Sequence, residues 1–420
     1  MSETKGLDEY NFLDPALQKC PYDFYRRLRA EAPVYREPRT GFWIVSRYRD
    51  LQAVIKDTVT FSNDLVLFDK VSARKPTAAD ALLKAQAYPR PQTLQRTDPP
   101  RHQRYRKLID RAFTASRVRD MTPYIDGVVR DLIDGFSSEA EIDFVARFAM
   151  PLPCIVIADQ IGVPRADIPR LKAWSDALLE PAGMMTTPER ELECARLTIE
   201  FQRYFAEKIE ERRVSPREDI LTALVGEMSD SEDPLSTAEA LNLLEQILTG
   251  GNETTTSTIA GAMLLLIQHP EEEARLRRNP DLLRNFTEEC LRLETPVQGL
   301  FRQTTRDVEV CGVTIPKDQI VIIRHGAANR DEERFEEADR FDVCRANAGA
   351  HLAFGAGVHF CPGAMLARQE IASAYRQLFE RFAGFALVPE RNTFDYNPSF
   401  FLRGLKALWI RPLARQNGVV

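Results

Sequence analysis

Apolar residues recur three and four places apart, with charges between them, over Phe24 to Glu31, Arg117 to Phe136, Arg165 to Glu180, Glu189 to Arg213 and Glu271 to Arg278. That period belongs to helices that bury one face. Strand patterns are fewer and shorter. Residues 33–36 and 41–45 flank a Pro-Arg-Thr turn, and residues 308–310 and 320–323 flank Gly312 and Pro316-Lys317-Asp318. The pattern predicts a mainly α chain with a small β region. No repeat period and no Gly/Ser linker divides it, and the Pro/Gly-bearing stretches at 181–188 and 229–234 are only loop-sized. One domain over residues 1–420 is therefore expected, with about 1–20 as an N-terminal extension.

The longest helical pattern opens at Ser236-Thr237-Ala238-Glu239, a capping-box signature, and runs to His269-Pro270. A helix of about 30 residues would be roughly 50 Å long, enough to cross the molecule. Its middle is unusual: Gly250-Gly251-Asn252-Glu253 followed by five hydroxyl residues, Thr254 to Thr258, joins poor helix formers to side chains that compete for backbone carbonyls. One unbroken helix and two helices meeting there both fit the pattern.

Composition narrows the class. With 44% apolar and 28% charged residues and a net charge of -6 over 420 residues, the chain has the make-up of an ordinary globular protein. The mild acidity argues against nucleic acid as the main partner. The first residues carry neither a basic nor an apolar stretch, and no run reaches the roughly 18 apolar residues of a membrane span, so a soluble, unexported protein without an anchor is expected. Seven cysteines at irregular spacing, without a Cys-x-x-Cys pair, suggest neither a disulfide framework nor a four-sulfur zinc site.

The sharpest chemical signal is Phe354-Gly355-Ala356-Gly357-Val358-His359-Phe360-Cys361-Pro362-Gly363, just before the amphipathic run 364–382. A thiol at a helix start meets unpaired amides and the positive end of the dipole, which favour the metal-binding thiolate. Glycines at 355, 357 and 363 would let backbone approach a flat, bulky cofactor over the sulfur.

This stretch resembles the haem-binding loop of the cytochrome P450 monooxygenases, Phe-x-x-Gly-x-His/Arg-x-Cys-x-Gly, at every fixed position. Three further segments fit the family in the expected order. Gly250, Gly251, Glu253, Thr254 and Thr255 resemble its oxygen-binding motif, with Glu253 in place of the commoner Asp. Glu289 and Arg292 match its Glu-x-x-Arg pair, which a second arginine, Arg340 or Arg345, would join. His102 and Arg106 resemble its His-x-x-x-Arg haem-carboxylate clamp, completed by Arg302 and His359.

The resemblance implies a single-domain cytochrome P450 fold with a long central helix over a haem b whose axial ligand is Cys361, with Phe354 and Gly363 in the cofactor loop. It implies a monooxygenase in which Glu253 and Thr254 supply the protons that O–O cleavage requires. The alternatives are a peroxide-using relative and a non-catalytic haem sensor or carrier. No Gly-x-Gly-x-x-Gly follows a strand, so electrons are expected from a separate ferredoxin and its reductase, in a cytoplasmic monomer. The substrate pocket implied comprises residues 62–96, Leu243, Gln246, Ile247, Gly250, Val297, Leu300, Phe400 and Phe401. These are mostly apolar, which suits a small aromatic or terpenoid-like molecule, with Gln246 as a hydrogen-bonding partner. Residues 181–188 are expected to form a lid. Arg104, Lys107 and Arg111, opposite His102 on their helix, are a candidate docking face for an acidic donor.

Overall fold

The structure, a computed structural model, describes residues 6–65, 76–229 and 233–415. The fold is mostly helical, with small sheets. The central helix, Thr237–Gln268, is unbroken over 32 residues. Ser236 and Glu239 close its capping box, each side chain bonding the other's backbone amide. The hydroxyl run does not break it, because Thr249, Thr254, Ser257 and Thr258 each donate to the carbonyl four residues back at 2.8–2.9 Å. Burial then overrides weak propensity. The first half of the helix, to Leu248, packs among Pro151–Ile161, Ile168–Leu179 and Pro188–Val214. The second half, from Ile259, packs among Thr122–Asp134, Leu283–Glu294 and Ala364–Arg381. The polar middle lies between these two apolar clusters.

The helical periods at 24–31, 189–213 and 271–278 appear as Tyr22–Glu31, Pro188–Val214 and Pro270–Arg278. The run expected over 117–136 is two helices, Ala115–Asp120 and Thr122–Asp134, with Pro123 near the start of the second. Proline is tolerated in a first turn but not in a helix interior, so the junction falls there. The run expected over 165–180 opens with one 3-10 turn before Ile168–Leu179.

A five-stranded sheet has the order Val34–Arg36, Trp43–Val45, Ile320–Ile323, Leu300–Thr304, Phe61–Ser62. All its pairings are antiparallel except that of Trp43–Val45 with Ile320–Ile323. Val308–Val310 pairs instead with Val313–Ile315 in a hairpin of its own. Within the N-terminal stretch, Phe12 is 3% exposed and meets the Phe400 ring edge-on at 5.7 Å.

Candidate active site

Gly355 and Gly357 both have positive φ, +69° and +66°, which only glycine adopts readily. They curl the 354–363 loop so that the Cys361 amide donates to the Phe354 carbonyl at 2.9 Å. Gly363 has no such need, with φ of -83°; its amide and that of Ala364, at the start of Ala364–Arg381, face the Cys361 sulfur. Burial pushes the Cys361 thiol up, while those amides and the Arg106 and Arg368 cations pull the other way. The side chain stays half-buried.

The loop is anchored from two sides. Arg106, on the helix Arg101–Ala112, donates to the Phe360 carbonyl and, through Nε at 2.7 Å, to Asp110. Arg368 lies 4.5 Å from the centre of the Phe354 ring and donates to Glu288 through Nε and Nη2 at 2.6 and 2.8 Å. His351 holds the same carboxylate at 3.1 Å. The Glu288–Arg368–His351 set was not foreseen from the sequence; the only signal was a second glutamate beside Glu289.

Beside the loop lies a buried cluster of basic side chains with nitrogens that lack an acceptor. Arg302 comes from the strand Leu300–Thr304, and the rings of His102 and His359 are 4.2 Å apart. His102 Nδ1, Arg302 Nε, His359 Nε2 and both ring nitrogens of His325 are buried without a hydrogen bond. Burial drives Arg302 down to about 10, and burial with its cationic neighbours drives His359 to about 3. His325, beside Arg302 and Arg324, is likewise pushed to about 3. Buried donors in this state call for an acceptor of opposite charge. Two carboxylates of a haem would meet that demand, with Cys361 placed to ligate the iron, so the residues present fit the cofactor. His325 is a member of this cluster that sequence patterns did not reveal.

On the central helix, Gly250 has nothing within 4 Å of where a Cβ would stand, and Gly250 and Thr254 remain exposed and half-buried. Asn242, Gln246, Gly250 and Thr254, spaced four apart, form one incompletely covered stripe. Gly251 meets a neighbour instead: a Cβ there would lie 3.1 Å from Ile157, so it is a packing glycine. Glu253 is 8% exposed; Asn397 donates to it at 3.1 Å and Lys172 lies 3.6 Å away. Burial raises its carboxyl above the usual range, against the Lys172 ammonium.

Of the expected pocket residues, Gly250, Val297, Leu300 and Phe401 keep partial exposure, and Ile247 is 6% exposed. Leu243 and Phe400 are corrections. Both are 0% exposed, Leu243 packed among the helices of the first cluster and Phe400 against Phe12 and Phe301. Gln246 is spent structurally, bonding Thr93, Asn242 and the Gln95 amide. In the segment 62–96, residues 66–75 lie outside the described residues, and Arg90 pairs with Glu245 on the central helix.

The Glu289–Arg292 pair is fully buried, with bonds of 2.7 and 2.8 Å, and Arg345 completes it at 3.0 Å from Glu289. Arg340 contributes only its carbonyl, its side chain being half exposed on Glu337. The expected donor face is largely neutralised: Arg104 pairs with Asp233 and Glu239, and Arg111 with Glu227, at 2.7–3.0 Å.

A mainly helical fold carrying a cysteine loop, a cluster of unsatisfied basic side chains beside it and a notched central helix fits the class of haem-thiolate oxidoreductases. The sequence profile described as Cytochrome P450 matches residues 183–404. Cytochrome P450 107B1 of Saccharopolyspora erythraea is 36% identical over 405 residues, covering 95% of this chain and 96% of its own. The solved structure of CYP109Q5 from Chondromyces apiculatus superposes with a TM-score of 0.84 at 33% identity, covering 98% of this chain and 100% of the other. Cytochrome P450 CREJ, solved with (4-ethylphenyl) dihydrogen phosphate, superposes at 0.89 with 27% identity, covering 97% and 100%. The chain belongs to the cytochrome P450 family, a family of haem-thiolate iron enzymes, and is a cytochrome P450 monooxygenase. Among the described residues no helix is long and apolar enough to cross a membrane.

Proposed function

We propose that the enzyme inserts one atom of dioxygen into a small, largely apolar, aromatic or terpenoid-like substrate, working as a cytoplasmic monomer with electrons from a ferredoxin and its reductase. The observation that carries the reading is the cluster of His102, Arg302 and His359 beside the Cys361 loop, each with a buried nitrogen that has no hydrogen-bond acceptor. In this reading those three side chains hold the haem carboxylates, Arg106 fixes the loop, Phe354 and Gly363 shape it, and Cys361 is the axial ligand. The haem, when bound, supplies dioxygen activation. Thr254 keeps a hydroxyl at the open face of the central helix and Glu253 a carboxylate one residue away, a donor and an acid-base group for moving protons.

Gly250, Val297, Leu300 and Phe401, the partly exposed members of the pocket set, offer almost no polar atoms beyond the backbone, which favours an apolar substrate. The aryl compound bound to CREJ is of the size proposed. The test is a spectral titration of the ferric protein with small aromatics, terpenoids and sugars, followed by turnover with ferredoxin and reductase. Aromatics or terpenoids should perturb the Soret band and yield product. Sugars binding equally well would overturn the substrate class, and turnover with peroxide alone at the same rate would overturn the ferredoxin-dependent reading.

A further inference from the structure

The unsatisfied nitrogens beside the cysteine loop fall into two groups. At one end the His102 and His359 rings stand 4.2 Å apart, within reach of the Arg106 charge. At the other is His325, the first residue of the short helix His325–Ala328 that follows the strand Ile320–Ile323. Arg302, on the neighbouring strand, links the two ends: its charge depresses both His359 and His325, whereas His102 acts on the first alone and Arg324 on the second alone. His325 lies in none of the motifs that pointed to the other members.

His325 is 2% exposed, and neither ring nitrogen has a hydrogen bond. Arg324, 4% exposed, donates to the Tyr25 hydroxyl at 2.9 Å, to the Gln18 side-chain oxygen at 3.3 Å and to the Phe400 carbonyl, all of them neutral. Asp98, the carboxylate whose charge reaches Arg302, is already held by the Ser62 hydroxyl and the Asn63 amide. Two buried guanidiniums and an idle imidazole thus share one corner, an arrangement that costs free energy until an anion enters it. The corner borders the pocket set. A Cβ on Gly299 would stand 3.0 Å from the Ile323 carbonyl and 3.3 Å from the Arg324 side chain, so the turn that carries the partly exposed Val297 and Leu300 packs on this segment.

We infer that His325 and Arg302 form a carboxylate subsite separate from the His102–His359 pair. The inference deepens the reading of the cluster as a haem cradle and rests on it. A carboxylate has two acceptor oxygens, and Arg302 Nε and one His325 N–H are donors without partners, one for each oxygen. Burial and the two arginines keep the imidazole neutral, so it brings a single donor, and the Arg324 charge adds to the pull on an anion. Two molecules in this enzyme's chemistry bring a carboxylate: the haem, and a substrate whose acid group, on an apolar body, reaches past Val297.

The test compares wild type with His325→Leu and with His325→Gln, which keeps a donor and an acceptor, in two arms. In the first, haem release from the ferric protein into an excess of globin apoprotein is timed after loading with haem or with haem dimethyl ester, whose carboxylates are masked. In the second, p-toluic acid and its methyl ester are titrated by the Soret shift. If the haem supplies the carboxylate, His325→Leu should release haem about tenfold faster or more, the worth of a hydrogen bond to a charged group. His325→Gln should lose less, and the difference should vanish with the dimethyl ester. If the substrate supplies it, haem release should hold, and the acid-to-ester affinity ratio should fall by a similar factor in His325→Leu. Either result supports the subsite. Unchanged release with an unchanged ratio would overturn it, as would faster release of both haems alike, which is what a merely structural histidine produces. Should His325→Leu fail to fold, His325→Phe, a ring without nitrogens, takes its place in both arms. Wild-type protein that holds the dimethyl ester as tightly as haem would instead sink the cradle reading itself.

Discussion

The Thr254 hydroxyl donates to the Gly250 carbonyl one turn back, at 2.8 Å, on the stretch of central helix where Gly250 has nothing within 4 Å. The bond holds the hydroxyl at the edge of the opening without closing it. General acid-base groups contribute on the order of 10²–10⁴ in rate, so Thr254→Ala should leave the fold intact and lower product per electron pair by about tenfold or more. The lost electrons should appear as peroxide. Thr254→Ser keeps the hydroxyl and the backward bond and should retain most of the coupling. Equal product yield in the alanine variant would remove Thr254 from proton delivery.

Arg302 allows the apoprotein and the loaded enzyme to be told apart. Its guanidinium is buried, one nitrogen bonded to the Phe301 carbonyl and Nε without a partner, a costly arrangement until an anion arrives. Arg302→Met should leave the apoprotein as stable as the wild type or more so, by urea unfolding, while haem dissociates faster from the loaded protein. A variant that destabilises the apoprotein and keeps haem at the wild-type rate would show that Arg302 serves the sheet rather than the cofactor.

Much of this fold is legible in the residues themselves because one physical rule dominates each legible part. The 3.6-residue period at 189–213 and 271–278 becomes helix to within a residue or two, and the capping box at Ser236 marks where the central helix begins. The single helix through Gly250–Thr258 was undecided because its stability comes from burial on both sides, which propensity does not register. Pairings escaped for a similar reason. Ile320–Ile323 lies beside Trp43–Val45, nearly 280 residues earlier, and no local pattern announces a parallel partner so far away. At the candidate site, the family resemblance, rather than any local pattern, pointed to His102, Arg302 and His359, whose unsatisfied nitrogens the structure shows. Lys172, His325 and Glu288 were not indicated, since each matters only through neighbours from distant elements. Leu243 and Phe400 misled because an apolar residue near a pocket in sequence order can equally be core.

The choice between Arg345 and Arg340 is settled by burial and carries a stability prediction. Arg345 is 7% exposed and completes a network in which Glu289 and Arg292 are both fully buried, whereas the Arg340 side chain is 50% exposed. Breaking a buried ion pair by removing one partner costs about 3–5 kcal/mol. Arg345→Leu should therefore be destabilised by roughly that much, with Arg340→Leu within about 0.5 kcal/mol of wild type. Urea midpoints of the two variants, measured side by side, check the ranking. Equal losses would mean that the network tolerates a bare Glu289–Arg292 pair.

Glu288 gives the protein an acid limb. Burial pushes its carboxyl up, but the hydrogen bonds and charges of Arg368 and His351 outweigh burial and bring it down to about 2, from an ordinary value of 4.5. The folded state thus binds the proton more weakly than the unfolded chain does. Its contribution to stability is present above about pH 4.5 and is lost as pH falls through about 2. Glu288→Gln keeps the shape and removes the charge, so it should be less stable than wild type at pH 7, with the difference shrinking steadily as pH falls below about 5. Because Arg368 also lies over Phe354, the same variant should loosen the cysteine loop and broaden the Soret band of the loaded enzyme. Stability curves of wild type and variant that run parallel from pH 7 to pH 3 would place the acid sensitivity in other carboxylates.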